Sequence, residues 1–317
     1  MTNDAELQRH YARMLLIREA EMRCGALFAE GAIPGFIHLS NGQEAVSVGV
    51  MAALRPDDTI ASTHRGHGHA LAKGLGLDSF FKELMGKADG ACKGRGGSMH
   101  VADLSVGMLG ANGIVGGGVA IAVGSALAHK LRGGDAVAVS FFGDGALAEG
   151  VLHECFNVAS LMAAPIMFAC ENNGWSEFSP SSAQIAFTLE KLAAAYSLEY
   201  RRVRGSDVEE VAKAAGEAIE RMRSERRPCV MEFMTSRVRG HYEGDMQRYR
   251  TDQGSLVDPL DVTREALEQR GVAPEILEAL AADARAEVEA AVRAAQAAPD
   301  ATLQSALEGV YAPKERA

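Results

Sequence analysis

The chain has 317 residues, of which 47% are hydrophobic and 23% are charged, so it can form a large folded core. Its formal net charge is −10, and no run of Lys and Arg exceeds a few residues, which argues against a nucleic-acid partner. The longest apolar stretch, Val119 to Ala128, is shorter than the roughly 20 residues that a membrane-spanning helix needs.

The first residues and the cysteines indicate the compartment. The start, MTNDAELQRH, lacks the basic and then apolar pattern of a signal peptide. Five cysteines are scattered without a CxxC pair, which is typical of reduced thiols rather than of a disulfide framework or a zinc site. We therefore expect a cytoplasmic protein that binds neither nucleic acid nor membrane.

The first part of the chain predicts one long helix and then a glycine-rich region. Residues 3–30 have the pattern of an amphipathic helix, with Asn3 and Glu6 as a capping box and Gly31 as an end signal. The glycine-rich region that follows contains most of the histidines and has one candidate strand at residues 59–62.

From residue 119 the pattern alternates between helices and strands. The predicted elements, in chain order, are a helix at 119–131, a strand at 136–142, a helix at about 149–162, a strand at 166–170, a strand at 199–203, a helix opened by a capping box at Ser206 and Glu209, and a strand near 229–234. Apolar strands that alternate with helices predict an α/β fold, in which helices cover both faces of a parallel sheet.

The last part of the chain differs in composition. Residues 261–311 are rich in Ala, Glu and Arg and are predicted to be helical, with Pro274 well placed in a first helical turn. We expect an α/β domain at residues 1–260, which includes the N-terminal helix, and a helical C-terminal extension at residues 261–317.

Two polar residues follow successive apolar strands. Asp144 lies in a Gly-Asp-Gly turn after the strand at 136–142, and Asn173 lies in a Glu-Asn-Asn-Gly turn after the strand at 166–170. The interval holds one helix and one strand, so both residues should emerge at the carboxyl edge of the sheet, where open α/β folds bind ligands. Either triplet alone is also typical of an ordinary tight turn.

The two residue types suit a magnesium-bound diphosphate. A carboxylate and an amide oxygen are hard ligands for Mg²⁺, which completes its octahedron with phosphate oxygens. The glycines beside Asp144 would let backbone N–H groups approach a phosphate. The backbone carbonyl of Trp175 is a candidate third ligand. Position and spacing together favour this interpretation over two unrelated turns.

Seven segments resemble a known family, the alpha subunits of thiamine diphosphate-dependent 2-oxo acid dehydrogenases of the pyruvate, branched-chain and acetoin types. The Gly-Asp-Gly and Asn-Asn pair resembles the thiamine diphosphate motif of that family, and several of the segments favour the bacterial acetoin type. The segments cover roughly residues 31–260 in the family's order and are GFIHLSNGQEA (35–45), STHRGHGHALAKG (62–74), GKADGACKGRGGSMH (86–100), GANGIVGGG (110–118), FFGDGALAEG (141–150), CENNGW (170–175) and RGHYEGD (239–245).

The resemblance implies a function and partners. It implies a thiamine diphosphate-binding fold with Mg, in a dehydrogenase that cleaves acetoin or a small 2-oxo acid and transfers the acyl unit to a lipoyl group of a dihydrolipoyl acyltransferase. It also implies a separate beta subunit, which supplies the glutamate that activates the aminopyrimidine, because the nearest glutamate here, Glu44, has a structural setting. The active unit is then expected to be an α2β2 heterotetramer, with the isolated chain inactive.

The resemblance assigns ligands to the metal and the diphosphate. Asp144 and Asn173 match the family's Mg ligands, and Trp175 matches the residue that contributes a backbone carbonyl. Arg65 and Arg237 match the arginines that pair with the diphosphate, for which the planar guanidinium fork is well suited.

Five further positions match residues that contact the cofactor. His64 stands where many members of the family have a Tyr that touches the same phosphate. Gly145 and Ala146 match backbone donors in the Gly-Asp-Gly turn. Gly113 and Val115 match backbone carbonyls that hold the aminopyrimidine.

Three histidines match catalytic positions around the thiazolium and the substrate. They are His38, His67 and His241, of which His241 also matches a cofactor-binding position, and imidazole suits proton transfer near pH 7. One departure from the family's pattern is that Ala148 and Glu149 replace a usual Asn-Gln pair after the turn.

A zinc site at His64, His67 and His69 is not expected. Arg65 lies between these histidines and would repel a dication, and their spacing fits no common closed zinc motif. We expect His69 to be structural.

Three other functions remain open. A nucleotide-binding module is disfavoured, because no GxGxxG opens a βαβ unit with an acidic residue about 20 positions on. The others are a non-catalytic assembly subunit that has lost its cofactor and a transketolase-like half-subunit. The intact set of two candidate metal ligands and two arginines speaks against the former, and transketolase-like enzymes usually join both halves in one longer chain.

Overall fold

A computed structural model describes residues 3–251, 256–308 and 310, and its central feature is a six-stranded parallel sheet. β5 and β6 form a separate antiparallel hairpin, and the other strands lie in the order β2-β1-β3-β4-β8-β7. The strands are β1 (Thr59–Ala61), β2 (Met108–Gly110), β3 (Ala138–Gly143), β4 (Ile166–Asn172), β5 (Trp175–Ser176), β6 (Ser179–Pro180), β7 (Glu199–Arg204) and β8 (Cys229–Met234). The predicted parallel α/β fold is confirmed.

Helices cover both faces of this sheet. In the described part of the chain they are α1 (Asp4–Ala29), α2 (Glu44–Met51), α3 (His67–Lys73), α4 (Leu77–Leu84), α5 (Gly117–Leu131), α6 (Gly150–Leu161), α7 (Leu189–Ala195), α8 (Val208–Glu225), α9 (Pro259–Gln269), α10 (Pro274–Ala297) and α11 (Leu303–Leu307). One hydrophobic core lies between the sheet and α5, α6 and α7. A larger core lies on the other face and includes residues of α1, α2, α8 and α10.

The ends of two helices test the predicted capping boxes. The Asn3 side chain accepts a hydrogen bond from the backbone N–H of Glu6 at 2.9 Å, so the predicted start of α1 is confirmed. The predicted cap of α8 at Ser206 is wrong by one residue. Asp207 takes the capping position, because its extended backbone lets its carboxylate accept from the N–H groups of Glu209 and Glu210 at 3.0 and 3.1 Å.

The glycine-rich region contains more regular structure than its pattern predicted. The structure adds α2, α3, α4 and β2 there, where only one strand was expected. All eight residues of α2 are buried, so this helix has no polar face and no amphipathic period to detect. β2 has three residues and only one neighbouring strand in the sheet, so it gives little signal.

The C-terminal segment divides into α9, α10 and α11, and Pro274 lies in the first turn of α10, as predicted. α10 packs against α1 and α4, and its Val288 and Val292 belong to the larger core. Residues 309 and 311–317 of the predicted helical tail lie outside the described residues.

The cysteines and the helix lengths agree with the composition. All five cysteines have free thiols. In the part of the chain that the structure describes, no helix combines the length and the hydropathy needed to cross a membrane.

Candidate functional site

Asp144 and Asn173 meet at the carboxyl edge of the sheet, as predicted. β3 and β4 are parallel neighbours, with Gly143 opposite Glu171, so the residues that follow the two strands lie side by side. The backbone N–H of Asn173 points at Asp144 Oδ1 over 3.4 Å. The structure therefore places a carboxylate and an amide side chain at adjacent strand ends.

Asp144 is almost completely buried. Its carboxylate accepts a hydrogen bond from the Ser181 hydroxyl, which comes from the segment directly after β6. Burial raises the pKa of Asp144 to about 6, although the contacts with Ser181 and the Asn173 N–H act in the opposite direction. These contacts therefore offset only part of the cost of burying the ionised carboxylate.

The Asn173 side chain is held at both ends. Its Nδ2 donates to Oε1 of Gln43 at 3.2 Å, and its Oδ1 accepts from the backbone N–H of Trp175 at 3.1 Å. A carbonyl oxygen has a second lone pair, so Oδ1 can still coordinate a cation. Gln43 precedes α2, and no local sequence pattern indicates that it contacts Asn173.

The turn after β3 needs a residue without a side chain. Asp144–Ala148 form a short 3-10 helix, and a Cβ atom on Gly145 would lie 2.6 Å from Oγ and 3.0 Å from Cβ of Ser176. Gly145 thereby lets the turn and the β5–β6 hairpin approach closely. Gly145 and Ala146 both face the cavity described below.

Two buried arginines lie on the other side of the site. Arg65 donates to the backbone carbonyls of Leu39 and His241 at 2.5 and 2.9 Å. Arg237 donates to the Tyr249 hydroxyl at 2.9 Å, and its Nε has no hydrogen-bond partner among the described residues.

Neither arginine has a carboxylate as a direct partner among the contacts of the described residues. Burial and the nearby charge of Arg237 lower the pKa of Arg65 to about 10, and burial also lowers the pKa of Arg237. Two buried guanidinium groups that lack a direct counter-ion among the described contacts make this part of the cavity strongly attractive to an anion.

Three histidines form a cluster beside these arginines. The ring centroids of His38 and His64 are 4.7 Å apart, those of His38 and His241 are 5.0 Å apart, and those of His64 and His241 are 5.5 Å apart. Burial, and then the charge of Arg65, lower the pKa of His38 to about 3 and that of His241 to about 4. The same causes hold the pKa of His64 well below its usual value. All three imidazoles are therefore neutral at pH 7.

One cavity of about 260 Å³ joins these groups. It is lined by every residue that the sequence assigned to the metal, the cofactor or catalysis, except His67. Gly113 and Val115 reach it from the loop before α5, where Asn112 Oδ1 accepts from the backbone N–H of Ile114 at 2.9 Å. Glu171 also lines the cavity, and the sequence reasoning had given it no role.

His67 lies behind the cavity rather than in its wall. Its side chain is fully buried, with Nδ1 2.9 Å from a Glu21 carboxylate oxygen and Nε2 2.8 Å from the Ser98 hydroxyl. Both ring nitrogens are therefore engaged inside the protein. The sequence did not predict Glu21, because an acidic residue on a long helix usually faces solvent.

His69 and Glu44 have the structural settings that were expected. The His69 ring stacks on Phe141 with centroids 3.9 Å apart, and its Nδ1 is 2.7 Å from the Ser62 hydroxyl. Glu44 is fully buried, where its carboxylate accepts from Arg18 at 2.5 Å and from the Gly42 N–H at 2.8 Å.

Comparisons with known proteins identify the family of this chain. A family model described as the dehydrogenase E1 component matches residues 12–304. The alpha subunit of acetoin:2,6-dichlorophenolindophenol oxidoreductase from Bacillus subtilis (strain 168) is 51% identical over 242 residues, which are 76% of this chain and 73% of that protein.

Two further relatives match over longer stretches. The protein of the same name from Cupriavidus necator is 42% identical over 308 residues, 95% of this chain and 92% of its own length. The pyruvate dehydrogenase E1 component subunit alpha of Zymomonas mobilis is 39% identical over 301 residues, 93% of this chain and 85% of its own length. The resemblance inferred from the seven segments is thus confirmed, and the chain belongs to the dehydrogenase E1 component family of oxidoreductases.

Proposed function

We propose that this chain is the alpha subunit of a thiamine diphosphate-dependent dehydrogenase that acts on acetoin or a small 2-oxo acid. One observation carries the proposal: the candidate cation ligands Asp144 and Asn173 face the same cavity as the buried arginines Arg65 and Arg237. A diphosphate bridged to Mg²⁺ would satisfy both sides, since its oxygens can bind the cation and the guanidinium groups together.

The residues present fit such a group. The Nε of Arg237, which has no hydrogen-bond partner within the described part of the chain, is a buried donor that a phosphate oxygen would satisfy. Asp144 and the Asn173 Oδ1 provide the hard oxygen ligands that Mg²⁺ prefers, and a cation would compensate the carboxylate that burial disfavours. The Trp175 carbonyl remains our proposed third ligand, by resemblance to the family.

The chain's own residues position the ligand and move protons. Thiamine diphosphate held by these residues would supply a carbon nucleophile for cleavage of the bond beside the substrate's carbonyl group. His38, His64 and His241 are neutral imidazoles that line the cavity, and each can donate one proton and accept another there. His67 has no nitrogen free for the substrate, so we assign it to holding the loop that carries Arg65.

The relatives' names bear on the substrate and the partners. Two of the three similar proteins described above are named for acetoin, so acetoin is our first choice of substrate and pyruvate the second. We infer a beta subunit in an α2β2 assembly and a lipoyl-bearing dihydrolipoyl acyltransferase as the acceptor. Glu44 is bound to Arg18 and is absent from the cavity wall, which supports a second chain as the source of the activating glutamate.

The binding step is tested by the change Asp144→Ala. Thiamine diphosphate with Mg²⁺ is expected to raise the thermal midpoint of the complex between the full chain and its co-expressed beta subunit, and NAD is not. Asp144→Ala should abolish this shift, because the cation loses its charged ligand. Asp283→Ala, at an exposed position of α10, is the matched control and should keep the shift. An unchanged shift in Asp144→Ala would overturn the proposed site.

The reaction is tested by turnover. The complex with the beta subunit should reduce an artificial dye acceptor in the presence of acetoin or pyruvate, and the chain alone should not. Activity of the purified chain alone would contradict the need for a second subunit. A shift with NAD in place of thiamine diphosphate would favour the nucleotide-binding alternative.

A further inference from the structure

Glu21 is a fully buried carboxylate that the reaction chemistry does not use. It lies on α1, and its side chain has no exposed surface. One oxygen accepts from both the backbone N–H and the hydroxyl of Ser40, at 2.8 and 2.6 Å. The other oxygen is 2.9 Å from Nδ1 of His67. Although burial raises its pKa, His67 and Ser40 together hold it below the usual value.

The contacts of Glu21 reach three chain segments that form the cavity wall. Ser40 lies two residues after His38, and His67 lies two residues after Arg65. Nε2 of His67 lies 2.8 Å from the hydroxyl of Ser98. Ser98 directly precedes Met99, which lines the cavity. A single carboxylate is thus connected, directly or through His67, to the segments that contain His38, Arg65 and Met99.

The hydrogen bond between His67 and Glu21 has a definite direction. An ionised carboxylate only accepts, so Nδ1 of His67 carries a proton and donates to Glu21. Nε2 is engaged by the Ser98 hydroxyl at 2.8 Å. With both nitrogens engaged, the His67 ring is held in one orientation, as a carboxylate holds a metal-bound histidine.

We propose that Glu21 is a positioning residue that fixes the wall of the cofactor cavity by orienting His67 and Ser40. This proposal rests on the proposed function, because it assigns Glu21 an effect on cofactor affinity and turnover. Glu21 and His67 touch neither substrate nor cofactor. They act through Arg65, whose guanidinium bonds to the carbonyl of Leu39, directly before Ser40.

The test compares Glu21→Gln with two other variants. Glutamine keeps the size of the side chain but turns one acceptor into an NH2 donor, so it cannot keep both the contact with the Ser40 N–H and the contact with the His67 N–H. Ser98→Ala removes only the hydroxyl at the end of the hydrogen-bonded series Glu21–His67–Ser98, so it is a milder change. Asp58→Asn is the matched control, because Asp58 is also a fully buried carboxylate, bound to Arg223 at the opposite edge of the sheet.

Binding and turnover are measured on the complex of the full chain with its beta subunit. In Glu21→Gln the Kd of thiamine diphosphate with Mg²⁺, from calorimetric titration, should rise about 10- to 100-fold and kcat should fall, while KM for the substrate changes little. Ser98→Ala should give a smaller rise in Kd. Asp58→Asn should lower the thermal midpoint without changing Kd, which separates positioning from general loss of stability.

Amide hydrogen exchange gives a second readout that needs no cofactor. Glu21→Gln should speed exchange in residues 36–41, 62–67 and 96–101 relative to wild type, and Asp58→Asn should not. Unchanged exchange there, or an unchanged Kd and kcat, would overturn the role of Glu21. If the wild-type complex binds no thiamine diphosphate, the proposed function is wrong, and the exchange data still decide whether Glu21 holds these segments.

Discussion

At the scale of single residues, the cavity is lined by a cluster of three imidazoles and by two guanidinium groups. His38, His64 and His241 are kept neutral by burial and by the charge of Arg65. A bound diphosphate would offset the charges of Arg65 and Arg237 and so raise the pKa values of these histidines toward their usual range. Cofactor binding and the proton affinity of the histidines are therefore linked.

The chain without a ligand should lose stability in mild acid through these histidines. The pKa of His38 is about 3 in the folded chain and near 6.5 when unfolded, so the unfolded chain takes up the proton first as the pH falls. The contribution of His38 to the free energy of unfolding is fully present above about pH 6.5 and is lost progressively toward pH 3.

Substituting His38 tests this linkage. We expect His38→Gln to flatten the dependence of the thermal midpoint on pH between about pH 6.5 and 4. His100→Gln, at an exposed position, is the control and should leave the slope as in wild type. An identical slope in His38→Gln and wild type would show that His38 is not held in the neutral form.

At the scale of elements, the close approach of α2 and α8 determines how the segment before the site is supported. A Cβ atom on Gly49 of α2 would lie 2.6 Å from Cγ1 of Val211 and 3.0 Å from the backbone nitrogen of Ala212. α2 follows directly after Gln43, which holds the amide of Asn173. The packing of α2 against α8 thus helps to position Gln43, which holds the Asn173 side chain at the candidate metal site.

A pair of glycine substitutions tests this packing. Gly49→Ala should lower the free energy of unfolding by about 1–3 kcal/mol, because the new methyl group meets backbone and a branched side chain. Gly216→Ala, on α8 where the nearest atom would be Ala53 Cβ at 4.0 Å, should raise it by about 0.5–1 kcal/mol through helix propensity. Urea unfolding measures both, and a stabilised Gly49→Ala would show that the helices can separate without cost.

Sequence patterns predicted the elements that carry a clear periodicity or a clear boundary. The long apolar strands β3 and β4 were found, and with them the meeting of Asp144 and Asn173. The fully buried α2 was not predicted, because a helix that is buried on every side has no polar face and hence no periodic signal.

Side-chain partners that are distant along the chain could not be predicted. Neither the contact of Glu21 with His67 nor that of Asn173 with Gln43 leaves a trace in local spacing, because 46 and 130 residues separate the partners. The family resemblance supplied the site residues that no pattern could give.

At the scale of the whole molecule, exposed apolar side chains lie in the loop that lines the cavity and on α5, which follows it. Ile114, in the loop that lines the cavity, is 73% exposed, and Ile121, one turn into α5, is 50% exposed. Leu131 at the far end of the same helix is 87% exposed. Exposed apolar groups next to a binding cavity are typical of a surface that another chain covers.

Two charge substitutions on α5 distinguish this surface from the rest of the helix. Ile121→Glu should abolish co-purification with the beta subunit and hence activity, because a carboxylate would be buried without a partner. Leu131→Glu lies about 15 Å further along the helix and should leave the assembly intact. Circular dichroism checks that both variants fold. Normal assembly of Ile121→Glu would place the beta subunit elsewhere.

The contact between Ser181 and Asp144 has a consequence for how the site exchanges its contents. The Ser181 hydroxyl and a metal cation would share one carboxylate, so a cation on Asp144 and the contact that holds the chain segment beyond β6 would affect each other. Thermodynamic reciprocity then requires that any effect of this segment on cation affinity is matched by an equal effect of the cation on the segment. Protease sensitivity near residue 181 would accordingly report how fully the site is loaded.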